Sequence, residues 1–141
     1  MAVQSADGGW QHYAIEINLR KGGTITPFLS LQYLTSGQYD AQQGIFRTSR
    51  GDPKFYVSSD HVESHDYLVF TADILFDTVS RHRLHFDHTG RTGIILHMIN
   101  NVGGSGQFGA TAIADSHEAA GTLYERFLSI IKKEALALRQ A

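Results

Sequence analysis

Thr92-Gly93-Ile94-Ile95-Leu96-His97-Met98-Ile99 is the strongest buried-strand signal in the chain. A short apolar run bounded by turn residues reads as a strand packed on both faces. It is followed by a Gly-rich connection and then by Ala110 to Ala114, a second strand. Asp115 and Glu118 follow with capping-box spacing, Asp taking the place of Ser or Thr. Behind them Leu123, Phe127, Ile130, Ile131 and Leu138 recur as the core stripe of a last helix. Strand, glycine loop, strand, helix is an α+β pattern with antiparallel neighbours.

Upstream, Thr71 is placed to cap a helix reaching about His82, with Ile74, Leu75 and Val79 on its apolar side. Arg83 to Arg91 is polar and reads as irregular, and Lys54 to Ser58 as a short strand. Residues 38–53, rich in Gln, Gly and Asp, read as loop and turn. Pro27 suits the first turn of a helix carrying Phe28, Leu31 and Leu34 up to Gly37. Residues 2–6 and a strand from about Trp10 to Leu19 flank Asp7-Gly8-Gly9, a hairpin turn. In the second of these strands Tyr13, Ile15, Ile17 and Leu19 alternate with polar residues, which predicts a half-buried strand. The expected fold is therefore α+β: a mostly antiparallel sheet of about four to six strands with three helices.

Composition narrows the function. The 141 residues carry a net charge of −2, so no basic surface calls for nucleic acid or an anionic membrane. Cysteine is absent, which removes disulfides and cysteine metal sites. No run of about 18 apolar residues occurs, and the first residues lack the charge and apolar pattern of a secretory signal. A cytoplasmic protein is expected.

The chemistry lies in Glu16-Ile17-Asn18-Leu19-Arg20-Lys21-Gly22-Gly23-Thr24. On a strand, residues two apart point the same way at about 7 Å. Glu16 and Asn18 would then offer a carboxylate and an amide oxygen to one hard cation, and Mg²⁺ takes such ligands together with substrate phosphates. Arg20, next on that face, has a planar fork suited to phosphate or carboxylate. Gly22 and Gly23 allow the backbone to bend so that its amides face an anion. A solvated strand face before an ordinary turn would give the same alternation, so the pattern gains weight from its continuation into Lys-Gly-Gly-Thr.

Glu16-x-Asn18-x-Arg20 resembles the closing strand of the ATP-grasp fold. The longer stretch Ala14 to Thr24 is similar to a group of ATP-grasp peptide ligases that includes the ligase of pheganomycin biosynthesis. Leu84-His85-Phe86-Asp87, Thr92 to Met98, Gly109-Ala110-Thr111-Ala112-Ile113 and the helix with Ala119, Ala120, Leu123 and Tyr124 resemble the C-terminal region of that group. The resemblance implies an ATP-dependent carboxylate–amine ligase working through an acyl phosphate. It assigns Glu16 and Asn18 to magnesium, Arg20 to the reacting phosphate or carboxylate, and Lys21, Gly22, Gly23 and Thr24 to substrate or phosphate. Residues 1–50 would be closing strands and loop of the catalytic domain, and 51–141 a C-terminal α+β extension.

Two departures qualify the match. The related ligases read Gly-Gly-Thr-Thr-His-Pro, where this chain has Gly22-Gly23-Thr24-Ile25-Thr26-Pro27 and so lacks a histidine that could touch substrate. The family also needs upstream phosphate-binding lysines, a flexible lid and an earlier acidic metal ligand. These are expected on a preceding segment or a partner chain, and the 141 residues alone are expected to be inactive and to bind neither ATP nor Mg. The alternative is a non-catalytic interaction or dimerisation module derived from such a ligase. A bared strand edge would favour homo-oligomers in either case.

Other motifs carry less. Gly104-Ser105-Gly106-Gln107-Phe108-Gly109 has dinucleotide-loop spacing but leads into a strand pattern, so it reads as a hairpin loop. His61, Glu63 and His65, and His85, Asp87 and His88, have spacings a metal could use. Asp60 to Asp66 is too polar for a strand, however, and loop histidines are the simpler reading. His97 reads as a core or interface histidine, and Lys132-Lys133-Glu134 as a solvated face. No G-x-S-x-G elbow supports a hydrolase.

Overall fold

A computed structural model describes residues 1–14 and 23–140. Its centre is β7 (Gln107–Ala114), which pairs antiparallel with β6 (Gly93–His97) on one side and β5 (Pro53–Glu63) on the other. β4 (Ile45–Arg47) continues from β5, and β3 (Gln38–Asp40) closes the edge. The result is a five-stranded antiparallel sheet of order β3-β4-β5-β7-β6. A separate hairpin joins β1 (Ala2–Gln4) to β2 (Trp10–His12).

Alternation along β7 assigns its two faces. Phe108, Ala110 and Ala112 meet the long helix α4 (His117–Gln140), where Ala120, Tyr124, Phe127, Ile131 and Ala135 form the buried stripe. Small alanines let the helix lie close, and Phe108 fills the remaining depth edge-on against Phe127, ring centres 6.2 Å apart. Helix α2 (Ala72–Arg81) joins this core through Leu75 and Val79. Thr71 caps α2 as expected, its Oγ1 accepting from the Ile74 N–H at 3.3 Å. On the other face Ile113 packs with Leu31 of α1 (Ile25–Thr35), Phe46 of β4, and half-buried Tyr56, Phe86 and Ile95.

Several expectations need correction. Residues 38–53 are not all loop: β3 and β4 form a hairpin there, its turn held by Asp40 Oδ1, which accepts from the Gln42 and Gln43 N–H groups. β5 runs on through Asp60-His61-Val62-Glu63, past the predicted end at Ser58, because its register shifts between Ser59 and Val62 and pairing resumes at Val62. The Trp10–His12 segment and Tyr13 are exposed rather than half-buried, and the rest of that predicted strand lies outside the described residues. The glycine-rich connection carries a short fourth helix, α3 (Val102–Ser105), besides the three long ones. Within the polar 83–91 stretch Leu84 is buried, and its carbonyl accepts from the Ile94 N–H. Asp115 does not cap α4. Ser116 does, its Oγ accepting from the Ala119 N–H at 3.1 Å, while Asp115 binds the buried Lys54 ammonium at 2.5 Å. Leu138 is exposed. Glu134 leaves its solvated neighbours to bind Arg81 and His82 at 3.1 and 3.0 Å, pinning α2 to α4.

Two substitutions test this packing. Gly93 has φ +139°, and a Cβ there would lie 2.5 Å from the His85 carbonyl oxygen and the Phe86 Cα. Gly93→Ala should therefore cost about 3 kcal/mol in urea unfolding. Glu134 has its carboxyl pKa lowered from 4.5, first by the His82 hydrogen bond and then by Arg81. A depressed folded pKa means stability present above 4.5 and lost as pH falls through the folded value. Glu134→Gln should cost up to about 1 kcal/mol at neutral pH, and the difference from wild type should fade in acid melts.

Candidate functional site

The second sheet face changes character along its length. Under the body of α1 it is apolar. Towards the far end of β5 it carries Ser58, Thr111 and His97 in one hydrogen-bonded row. Ser58 Oγ lies 2.8 Å from Thr111 Oγ1, which lies 3.2 Å from His97 Nε2. Ser58 Oγ also donates to the Ala110 carbonyl at 3.3 Å. A hydroxyl has one proton to give. With that of Ser58 spent on Ala110, Thr111 donates to Ser58 and His97 donates Nε2–H to Thr111. His97 Nδ1 is then a bare acceptor, and it is buried without a hydrogen-bond partner. Burial lowers the His97 pKa below 6.5, with the Ala110 backbone and then the Asp60 carboxylate pulling the other way.

Gly109, opposite His97 in the β6–β7 pairing, gives the ring its room: a Cβ there would fall 2.1 Å from Nδ1. His97 is thus a half-buried histidine with one nitrogen satisfied, near the core reading but open on the sheet face.

Gly23 and Thr24 sit where α1 begins and arrive on this polar end. Thr24 occupies the cap position of α1 without a side-chain cap bond. Pro27 is buried in the first turn, where its missing N–H costs nothing. Asp60 of β5 lies against Gly23: a Cβ on Gly23 would be 2.2 Å from Asp60 Oδ2. Gly23, Thr24, Pro27, Tyr56, Ser58 and Asp60 enclose a cavity of about 310 Å³.

Of the residues singled out in the sequence, Gly23 and Thr24 are thus brought to this pocket beside Asp60 and Ser58. Glu16, Asn18, Arg20, Lys21 and Gly22 lie outside the described residues. Asp60, Ser58 and Thr111 were not singled out, because their convergence depends on β5 running past Ser58. The one sequence signal was the alternation Tyr56, Ser58, Asp60.

The histidine groups divide. His61 Nε2 meets Glu63 Oε2 at 2.7 Å on β5, and His61 Nδ1 meets Gln107 Nε2 at 2.9 Å. Among the described residues no three His, Cys, Asp or Glu side chains converge as metal ligands. No described helix is long and apolar enough to cross a membrane.

A family model described as the PGM1 C-terminal domain matches residues 74–127, fewer than half of the chain. The match spans most of α2, all of β6 and β7, and the first half of α4. No curated protein matches the chain. No solved structure matches it either.

His97 offers a direct check on the row. Gly109→Ala should displace the imidazole, break its bond to Thr111 and let its NMR-titrated pKa rise toward 6.5. An unmoved titration would show that the ring does not depend on this gap.

Proposed function

We propose that the chain is the C-terminal part of an ATP-dependent carboxylate–amine ligase, forming an amide through an acyl phosphate. The observation that carries this reading is order along one chain: Glu16-x-Asn18-x-Arg20-Lys-Gly-Gly-Thr comes first, and the stretch matching a C-terminal domain follows at 74–127. Glu16 and Asn18 supply only oxygen donors, the set magnesium prefers, and would hold it against phosphate. Bound magnesium supplies charge neutralisation on the transferring phosphoryl group. Arg20 orients and offsets charge on the acyl phosphate, and Lys21 with the backbone amides of Gly22, Gly23 and Thr24 binds phosphate or a substrate carboxylate, which leaves the Thr24 hydroxyl free. ATP and Mg belong to the complete enzyme; the remaining phosphate-binding groups come from a preceding segment or a partner chain.

The N-terminal forty residues support such a partner. Trp10, Tyr13, Phe28, Leu29, Tyr33 and Tyr39 are all exposed there, on the hairpin, α1 and β3. Exposed aromatic and aliphatic side chains mark a partner's surface where they join into one patch. The second reading, a non-catalytic dimerisation module, rests on the same surface and puts a second copy on it.

The two readings part in one experiment. Paired with an ATP-grasp segment that carries phosphate-binding lysines, the chain should release ADP only when both a carboxylate and an amine are present. Glu16→Gln or Asn18→Ala should cut that rate about 100-fold or more. ADP release indifferent to both substitutions would reject the ligase assignment. A stable dimer by light scattering with no activity would favour the module.

A further inference from the structure

Asp60 stands out because it explains a glycine far from it in sequence. Gly23 must lack a side chain, since the Asp60 carboxylate occupies that space. This carboxylate opens on the 310 Å³ cavity together with the hydroxyl-bearing Thr24 and Ser58. We infer that this cavity binds the amine substrate, with Asp60 accepting hydrogen bonds from its ammonium group. The inference rests on the ligase reading for its place in a reaction, and on geometry alone for the binding.

The chemistry of the lining selects the ligand. An ammonium brings three donors and no acceptor. Asp60 offers carboxylate oxygens, and Ser58 Oγ, which donates to Ala110 and accepts from Thr111, keeps a second lone pair free to accept another bond. Thr24 Oγ1, unused in capping α1, gives a third acceptor. Magnesium would ask for near-octahedral oxygen coordination and more negative charge than one carboxylate supplies among the described lining residues. The anionic substrate is disfavoured in turn by the Asp60 charge. The amine would thus reach the Gly23 bend from the side of the sheet, where Asp60 and Ser58 lie.

Two-dimensional NMR on the chain tests this with glycinamide as a cationic amine and N-acetylglycinamide as its neutral counterpart. Glycinamide should shift the Gly23, Thr24, Ser58 and Asp60 amides, and N-acetylglycinamide should not. Asp60→Asn should weaken glycinamide binding about tenfold or more while the thermal melt stays in place. Gly23→Ala, which pushes the carboxylate aside, should weaken it too. Equal shifts from both compounds, undiminished binding by Asp60→Asn, or magnesium chloride competing away the glycinamide shifts would each overturn the assignment. In the reconstituted assay, Asp60→Asn should raise KM for the amine and leave KM for ATP unchanged. Ligation that ignores Asp60 would refute the amine site and spare the ligase. Glycinamide binding through Asp60 without any ligation would do the reverse.

Discussion

The antiparallel ladder between β5 and β7 holds everything else in place. β7 is buried on both faces over nearly its whole length, so each residue must satisfy two environments in turn. Its even positions, Phe108, Ala110 and Ala112, belong to the apolar core under α4. Of its odd positions, Ile113 joins the smaller core beneath α1, and Thr111 lies fully buried with its hydroxyl bonded to Ser58 and His97. A buried hydroxyl left without partners would be costly. The polar row is therefore a condition of the strand's placement as well as a candidate binding surface. Moving β5 by one residue against β7 would turn Ser58 to the α4 side and leave Thr111 without it.

That dependence explains what the sequence did and did not disclose. Local signals survived: the Thr71 cap, the β6 and β7 runs and the α4 stripe each depend on residues within a turn or two of one another. The failures share a cause in tertiary structure. Gln38–Asp40 and Ile45–Arg47 are strands only because β5 offers them an edge, and three residues of mixed polarity carry no period of their own. Asp60 to Glu63 reads as loop until the register shift at Ser59/Val62 lets a polar stretch stay paired. At the start of α4, two adjacent polar residues, Asp115 and Ser116, could both have capped. Lys54, 61 positions away from Asp115, decided between them by drawing off the carboxylate.

The candidate site shows the same division. The Glu16 to Thr24 run was legible because its chemistry is contiguous. Asp60, Ser58, Thr111 and His97 were not, because four residues from three strands meet only once the sheet is assembled. A core or interface histidine is what the sequence around His97 predicts, and its half-buried ring fits that, but its place at the end of a hydroxyl row depends on β7. Such a row has consequences for charge. With Nε2–H committed to Thr111, a proton added to Nδ1 would enter a buried position against Gly109. Burial therefore favours the neutral ring beside the Asp60 carboxylate.

The position of that carboxylate bears on how the two halves of the chain are joined. Gly23 and Thr24 belong to the segment leading into α1, whereas Asp60 belongs to the strand that anchors the sheet. The close approach of Asp60 to Gly23 means that any movement of Gly23 changes the room around the carboxylate. A motif at the start of the chain and the sheet behind it are thus coupled through one contact between a backbone and a side chain.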